Sequence, residues 1–203
     1  HERARAETLR FVTRGREFHA PHFAELALED VGRGQKSEAR RIGEQAASAR
    51  LQQQGAIETT LDLELNQAIE RALRTEAGSL LVFLPGAGEI RRTESLLKER
   101  INDTAVDIVA LYGALDAREQ DRAISPAPPG RRKVVLATSI AETSLTIEGV
   151  RVVIDSGLSR VPRYEPDVGI TRLETVRVSR AAADQRRCRA GRVEPGVCYR
   201  LWD

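Results

Sequence analysis

Short apolar runs recur along the chain, and each is separated from the next by a helical stretch or a turn. The runs are Ser79–Leu84, Val106–Tyr112, Lys133–Thr138 and Val150–Asp155. The first is uninterrupted and is closed by Pro85, which is typical of a strand buried on both faces of a parallel sheet. Strands that alternate with helices predict an α/β fold in three layers, with helices on both faces of a mainly parallel sheet of about six strands.

Helical periodicity and turn residues predict the elements between and after these runs. Apolar residues follow helical spacing before Gly78, which stands where a C-cap glycine is expected. Ser179 can cap a later helix. The predicted elements are helices over Leu61–Leu73, Ala87–Arg100, Leu115–Ile124 and from Ser179 to about Ala190, a hairpin of Arg160–Glu165 with Thr171–Val178, and a closing strand over Gly196–Trp202.

The first part of the chain has a different character. From His1 to about Gln54 it is rich in Arg, Ala, Glu, Gln and Gly, and its apolar positions do not alternate cleanly. Within it, Ser37–Gln54 could form a helix with a thin apolar stripe. We therefore predict a helical or loose N-terminal arm, residues 1–55, and a domain formed by residues 56–203. We expect the arm to be the least ordered part, because it lacks the apolar surface that would offset its ordering entropy.

Composition argues against a membrane protein and gives only a weak signal for nucleic acid. No window approaches the roughly 18 uncharged apolar residues of a membrane span, so we expect a cytoplasmic protein. Lys36, Lys98 and Lys133 are the only lysines, and arginine suits forked contacts with phosphate. However, the net charge is only +2, and a GC-rich genome favours arginine codons whatever the function. The start at His1 and the absence of Met lead us to expect a piece of a longer protein.

Cysteine and histidine spacing gives no metal or disulfide framework. Cys188 and Cys198 have no second pair and no nearby histidine, so we expect both to be reduced. His19 and His22 are spaced like half of a metal site, but no third ligand follows at a suitable interval. We therefore predict no metal site in this chain.

The segment Gln185–Arg192 is the strongest candidate for chemistry. On a helix, Gln185, Arg189 and Arg192 would share one face, because they lie at i, i+4 and i+7. Two forked cations that face one way suit a polyphosphate, whose transferring group develops charge over several oxygens. From composition alone, a solvated basic helix face explains the same residues.

The same segment resembles motif VI of superfamily 2 helicases, with Cys188 where that family has glycine. Arg132–Gly149 resembles motif V of the DEAH group over a long and specific string, and Leu81–Ile90 is similar to motif IV. Asp155-Ser156-Gly157 also matches. The resemblance covers about Leu61 to Trp202. It identifies the chain as similar to the second RecA-like (P-loop NTPase-like) domain of DEAH-type RNA helicases, and the form of motif V points to HrpB-like bacterial members.

The resemblance implies a nucleotide site that is shared with a preceding RecA-like domain. Arg189 and Arg192 would be arginine fingers that reach the phosphates of ATP, and Gln185 would orient the attacking water or the terminal phosphate. Thr146 and Glu148 match family positions near the ribose. The preceding domain would hold Mg²⁺, since this sequence contains neither a Walker loop nor a DEAH box. The isolated chain is therefore predicted to be inactive as an ATPase.

The resemblance also implies contacts to the base and to RNA. Relatives often stack an aromatic residue on adenine where this chain has Ile124, so we expect weak base preference. Contacts to the backbone of single-stranded RNA would come from Thr138, Ser139, Gly113 and Gly86, although the family usually has asparagine at Ser139. Short hydroxyls and bare amides suit phosphate and sugar rather than base edges. The departures at Ser139 and Cys188 leave an alternative open: a non-catalytic RNA-binding or regulatory module.

Overall fold

The computed structural model describes residues 11–12, 61–142, 147–166, 169–192 and 194–202. The chain divides into two compact units, residues 16–63 and residues 1–15 with 64–203. Of the first unit only helical residues 61–63 are described, so the fold below is that of the second. The predicted helix over Ser37–Gln54 lies outside the described residues, as does Thr146. The proposed boundary between residues 55 and 56 stays a prediction.

The described part of the second unit contains one parallel sheet and one separate hairpin. The sheet strands are β1 (Phe11–Val12), β2 (Ser79–Phe83), β3 (Val106–Leu111), β4 (Arg132–Ala137), β5 (Val150–Asp155) and β8 (Val197–Arg200), and the hairpin strands are β6 (Leu158–Glu165) and β7 (Ile170–Arg177). The six sheet strands run parallel in the order β1-β8-β5-β2-β4-β3. The mainly parallel α/β fold and the hairpin are therefore confirmed. Phe11–Val12 adds an edge strand that the sequence did not predict.

Helices cover both faces of this sheet. They are α1 (residues 61–75), α2 (Ala87–Arg100), α3 (Ala117–Ile124) and α4 (Arg180–Arg187). Alternate strand residues divide the core: Leu80 and Val82 pack with apolar residues of α1 and α2, whereas Leu81 and Phe83 pack with Ala123 of α3. Every residue of β2 is buried, as its uninterrupted apolar run predicts for a central strand. No helix among the described residues is long and apolar enough to cross a membrane.

Both predicted ends of α2 and the predicted start of α4 agree with the structure, whereas α3 begins at Ala117 rather than Leu115 and the predicted end of α4 is wrong. The bounds of α2 coincide with the prediction, and Ser179 caps α4 by accepting a hydrogen bond from the Ala182 amide at 3.1 Å. However, α4 ends at Arg187 rather than near Ala190. Beyond that point the Arg189 and Ala190 amides donate to carbonyls only three residues back, so the chain leaves the helix in a tight turn.

Lys133, at the start of β4, attaches the end of α3 to the sheet. Its ammonium group donates to the carbonyl of Arg122, in the last turn of that helix, at 2.5 Å and to the carbonyl of the C-cap residue Ser125 at 2.7 Å. Burial lowers the pKa of Lys133. In the sequence, Lys133 stands at the start of an otherwise apolar run. The Lys133 ammonium group satisfies carbonyls at the end of α3, because helix C-termini leave carbonyls that lack a donor within the helix.

Two glycines give a stability prediction with its own control. A Cβ added at Gly196 would lie 2.0 Å from the Ala190 carbonyl oxygen, whereas one added at Gly88 meets no described heavy atom within 4 Å. We expect Gly196→Ala to lower the free energy of unfolding by about 1–3 kcal/mol, because backbone must shift to make room. Gly88→Ala should raise it by about 0.4–1 kcal/mol, because alanine restricts the unfolded chain and favours the helix. Urea unfolding followed by circular dichroism measures both, and equal midpoints would contradict this packing.

Candidate functional site

The four residues predicted to contact RNA are brought to one edge of the sheet. Gly86 follows β2, Gly113 follows β3, and Thr138 and Ser139 follow β4. Since β2, β4 and β3 are parallel neighbours, their carboxyl ends meet at the same edge. The Thr138 amide donates to the Leu111 carbonyl at 3.2 Å, which joins the ends of β4 and β3 directly. We call this carboxyl edge the strand-end surface.

An arginine that the sequence analysis did not select lies on the same surface. Gly86 is the extended N-cap residue of α2, and a Cβ placed on it would lie 2.7 Å from Nη1 of Arg160. Arg160 comes from β6, and its guanidinium donates to the buried carboxylate of Glu89 at 2.9 Å. The Gly86 backbone is therefore in close contact with a cationic group. No motif marked Arg160, because its position depends on how the hairpin folds back toward α2.

A pocket of about 550 Å³ lies near the opposite edge of the sheet. Its lining includes Gly78, which precedes β2, and Gly149, which precedes β5. Arg189, Arg192 and Glu148 also line it, so three of the residues predicted to bind nucleotide are brought together. The central strands have five or six residues, so the two edges are separated by roughly 17 Å, at about 3.3 Å per residue.

The two arginines of this pocket differ in their surroundings. Arg189 is 8% exposed, whereas Arg192 is exposed. Burial, and next the nearby charge of Arg192, lower the pKa of Arg189, although an arginine side chain stays charged in proteins. Nη2 of Arg189 donates to the Glu142 carbonyl. A partly desolvated cation beside a second cation is stabilised by a bound anion, so the pocket suits phosphate groups.

Arg186 forms a buried ionic cluster that the sequence analysis missed. Its Nη1 lies 2.7 Å from Oδ1 of Asp155 and its Nε lies 2.7 Å from Oε1 of Glu142, while the guanidinium stacks 4.9 Å from the Phe83 ring centre. Nη1 also donates to the Leu158 carbonyl at 3.1 Å. Arg186 and Asp155 are fully buried. Arg186, one of several basic residues of motif VI, therefore forms the centre of a buried ionic cluster that attaches α4 to the rest of the domain.

Of the other residues predicted to act on the nucleotide, the two that the structure describes, Gln185 and Ile124, do not line the pocket. Gln185 is exposed on α4, and because Arg189 and Arg192 lie beyond the end of that helix, the predicted common helical face is wrong. Ile124 is the half-buried last residue of α3. Cys188 is exposed at the C-cap of α4 rather than enclosed within a helix. The roles proposed for Gln185 and Ile124 stay predictions.

Comparison with known proteins finds relatives of this chain. The model of the "Helicase conserved C-terminal domain" family matches residues 63–194. The chain is 55% identical over 134 residues to the ATP-dependent RNA helicase HrpB of Escherichia coli, which covers 66% of this chain and 16% of that protein. It is 44% identical over 147 residues to the pre-mRNA-splicing factor ATP-dependent RNA helicase prp22 of Schizosaccharomyces pombe, covering 70% of this chain and 13% of that protein.

A solved structure leads to the same conclusion. The crystal structure of the E. coli DExH-box NTPase HrpB superposes with a TM-score of 0.65 at 54% sequence identity, over 69% of this chain and 17% of that one. The similarity thus extends from sequence to fold, although the chain spans only a small part of either relative. The chain belongs to the helicase conserved C-terminal domain family, as a second RecA-like domain of the DEAH type that HrpB represents.

Proposed function

We propose that this chain is the C-terminal motor domain of a cytoplasmic ATP-dependent RNA helicase, acting with a first RecA-like domain. The observation that carries the proposal is the separation of two sites on one sheet. The pocket lined by Arg189 and Arg192, here called the arginine pocket, lies near the amino ends of the strands. The strand-end surface lies at their carboxyl ends. A helicase motor needs a nucleotide site and a nucleic-acid site that can be occupied at the same time.

The chemistry proposed for the pocket is stabilisation of charge on the phosphates of ATP. Arg189 is held by the Glu142 carbonyl and is largely shielded from water, so its charge acts with little screening. Arg192 is exposed and can reach a phosphate bound by the other domain. Glu148 supplies a carboxylate that can accept hydrogen bonds from ribose hydroxyls. Charge that grows in the transition state is stabilised by cations that are already in place.

The chemistry proposed for the strand-end surface is sequence-independent contact with the backbone of single-stranded RNA. Thr138 and Ser139 offer hydroxyls and Gly113 an exposed glycine backbone, and such short groups suit phosphate and sugar rather than base edges. Arg160 adds a cation beside Gly86. Backbone contacts of this kind let a strand move through the site without regard to its sequence. Magnesium would be held by the first RecA-like domain, which would carry the Walker loop and the DEAH box.

The isolated chain is expected to release no phosphate from ATP above the buffer rate, with or without RNA. The physical reason is that the arginines form one wall of the site, while the phosphate cradle and the metal ligands belong to the other domain. A phosphate-release assay on the 203-residue chain measures this directly. The full-length helicase serves as the positive control, and RNA-stimulated turnover by the isolated chain would refute the proposed division of the site.

A further inference from the structure

We propose that Glu142 is a positioning residue that couples the strand-end surface to the finger Arg189. Because this inference assigns a coupling between two proposed sites, it rests on the proposed function. Glu142 itself is not one of the residues proposed to contact RNA. Its carboxylate and its backbone carbonyl hold two different arginines, and the residue also terminates the turn that carries Thr138 and Ser139.

The turn that carries the RNA contacts is short and internally bonded. A single 3₁₀ turn, Ser139–Ala141, follows β4, with Thr138 as its N-cap and Glu142 as its C-cap. The Ala141 amide donates to the Thr138 carbonyl at 3.2 Å, and the Glu142 amide donates to the Ser139 carbonyl at 2.9 Å. A displacement of Thr138 or Ser139 is therefore passed to the backbone of Glu142 over one tight turn.

Glu142 is anchored at its other end by the buried cluster. Its Oε1 accepts from Nε of Arg186 at 2.7 Å and lies 2.6 Å from Nη2 of the same guanidinium. Arg186 is fully buried, and the Glu142 side chain is only 14% exposed, so this ion pair is poorly screened. The anchor fixes the orientation of the Glu142 peptide group.

The Glu142 carbonyl in turn holds the side chain of Arg189. It accepts from Nη2 of Arg189, and the Arg189 side chain lines the pocket. Turning the Glu142 peptide therefore moves or releases the guanidinium that we propose stabilises the phosphates. RNA bound at Thr138 and nucleotide bound at Arg189 both bias the orientation of this one peptide, which is the physical requirement for coupling.

The test uses the full-length helicase and compares ATP turnover with and without single-stranded RNA. Glu142→Gln weakens the anchor while keeping the backbone carbonyl. We expect the ratio of RNA-stimulated to RNA-independent kcat to fall by about twofold to thirtyfold, the range over which single contacts change coupling between sites. RNA affinity should be unchanged. Glu94→Gln, on the exposed face of α2 where Glu94 pairs with Lys98, is the matched control and should keep the ratio.

Asp155→Asn separates positioning from simple stability. Asp155 is the other carboxylate on Arg186, but it lies at the end of β5 and not on the turn. Asp155→Asn should destabilise the fold at least as much as Glu142→Gln, yet leave the ratio of RNA-stimulated to RNA-independent kcat unchanged. An equal loss of the ratio in both variants would overturn the proposal, since a general loosening of the cluster would then explain the effect.

A double-mutant cycle with Arg189→Ala decides whether Glu142 acts through the finger. If it does, the RNA-stimulated kcat of the double variant equals that of Arg189→Ala alone. Losses that multiply would show that Glu142 acts by another route and would overturn the inference while leaving the proposed function intact. Unchanged turnover in Arg189→Ala would instead refute the finger assignment itself. Should Glu142→Gln fail to fold, Glu142→Asp keeps the charge, shortens the anchor and enters the same cycle.

Discussion

Arg192→Ala in the full-length helicase is expected to lower kcat for RNA-stimulated ATP hydrolysis by about a thousandfold, with KM for ATP and the affinity for RNA nearly unchanged. Arg192 lines the pocket near the amino ends of the strands, whereas the proposed RNA contacts follow their carboxyl ends. Removing it withdraws charge stabilisation that is needed chiefly in the transition state, so the loss appears in kcat. Steady-state ATPase assays and RNA titration by fluorescence anisotropy measure the two quantities.

Two further variants make this result specific. Thr138→Val should weaken RNA binding and RNA stimulation while basal hydrolysis survives, because it removes a hydroxyl at the opposite edge. Arg74→Ala removes a guanidinium from the exposed face of α1, where it pairs loosely with Glu70 at 3.8 Å, and should change neither quantity. If Arg192→Ala instead lowered RNA affinity with turnover intact, the chain would be a nucleic-acid-binding module rather than half of a motor.

Arg186→Met is expected to lower the free energy of unfolding by about 3–5 kcal/mol, the loss typical of a buried ion pair deprived of one partner. The substitution keeps much of the side-chain volume but leaves two carboxylates without their cation. Asp155 is fully buried, so its charge would have little access to water. Urea unfolding of the chain, followed by circular dichroism, measures the change.

Removal of an exposed arginine should not lower the free energy of unfolding by as much. Arg163→Met removes an arginine whose salt bridge to Glu174, at 2.8 Å, lies on the exposed hairpin, and it should cost less than about 1 kcal/mol. Adding Asp155→Asn to Arg186→Met should recover part of the lost stability, because it removes one of the uncompensated charges. A loss below about 1 kcal/mol for Arg186→Met itself would mean that the buried cluster is not ionic.

The sequence was most informative where the signal is local. The bounds of α2 follow from its apolar spacing and from Pro85-Gly86 at its start, and the capping of α4 follows from Ser179. The placing of Thr138 and Gly113 at one edge follows from parallel strand order, once each residue is seen to follow an apolar run.

The errors concern residues whose environment is set by distant parts of the chain. Helical spacing predicted that the helix of the basic segment extends to Ala190. In the structure the chain turns at Cys188. Arg189 then donates to the carbonyl of Glu142, 47 residues earlier. Arg186 looked like one more surface arginine, because its partners Glu142 and Asp155 lie 44 and 31 residues away. Single-sequence periodicity contains no information about such pairs. Only the match of Asp155 to a motif hinted that it had a partner.

The separation of the two edges has a mechanical consequence. The central strands are buried and hydrogen-bonded on both sides, so the sheet is stiff along the direction of its strands. A tilt of about 11° about a point near the arginine pocket would move the carboxyl ends of the strands, roughly 17 Å away, through about 3.3 Å, which is close to the rise of about 3.4 Å per nucleotide in a duplex. Under the proposed function, a small tilt of the domain would then correspond to a step of about one nucleotide.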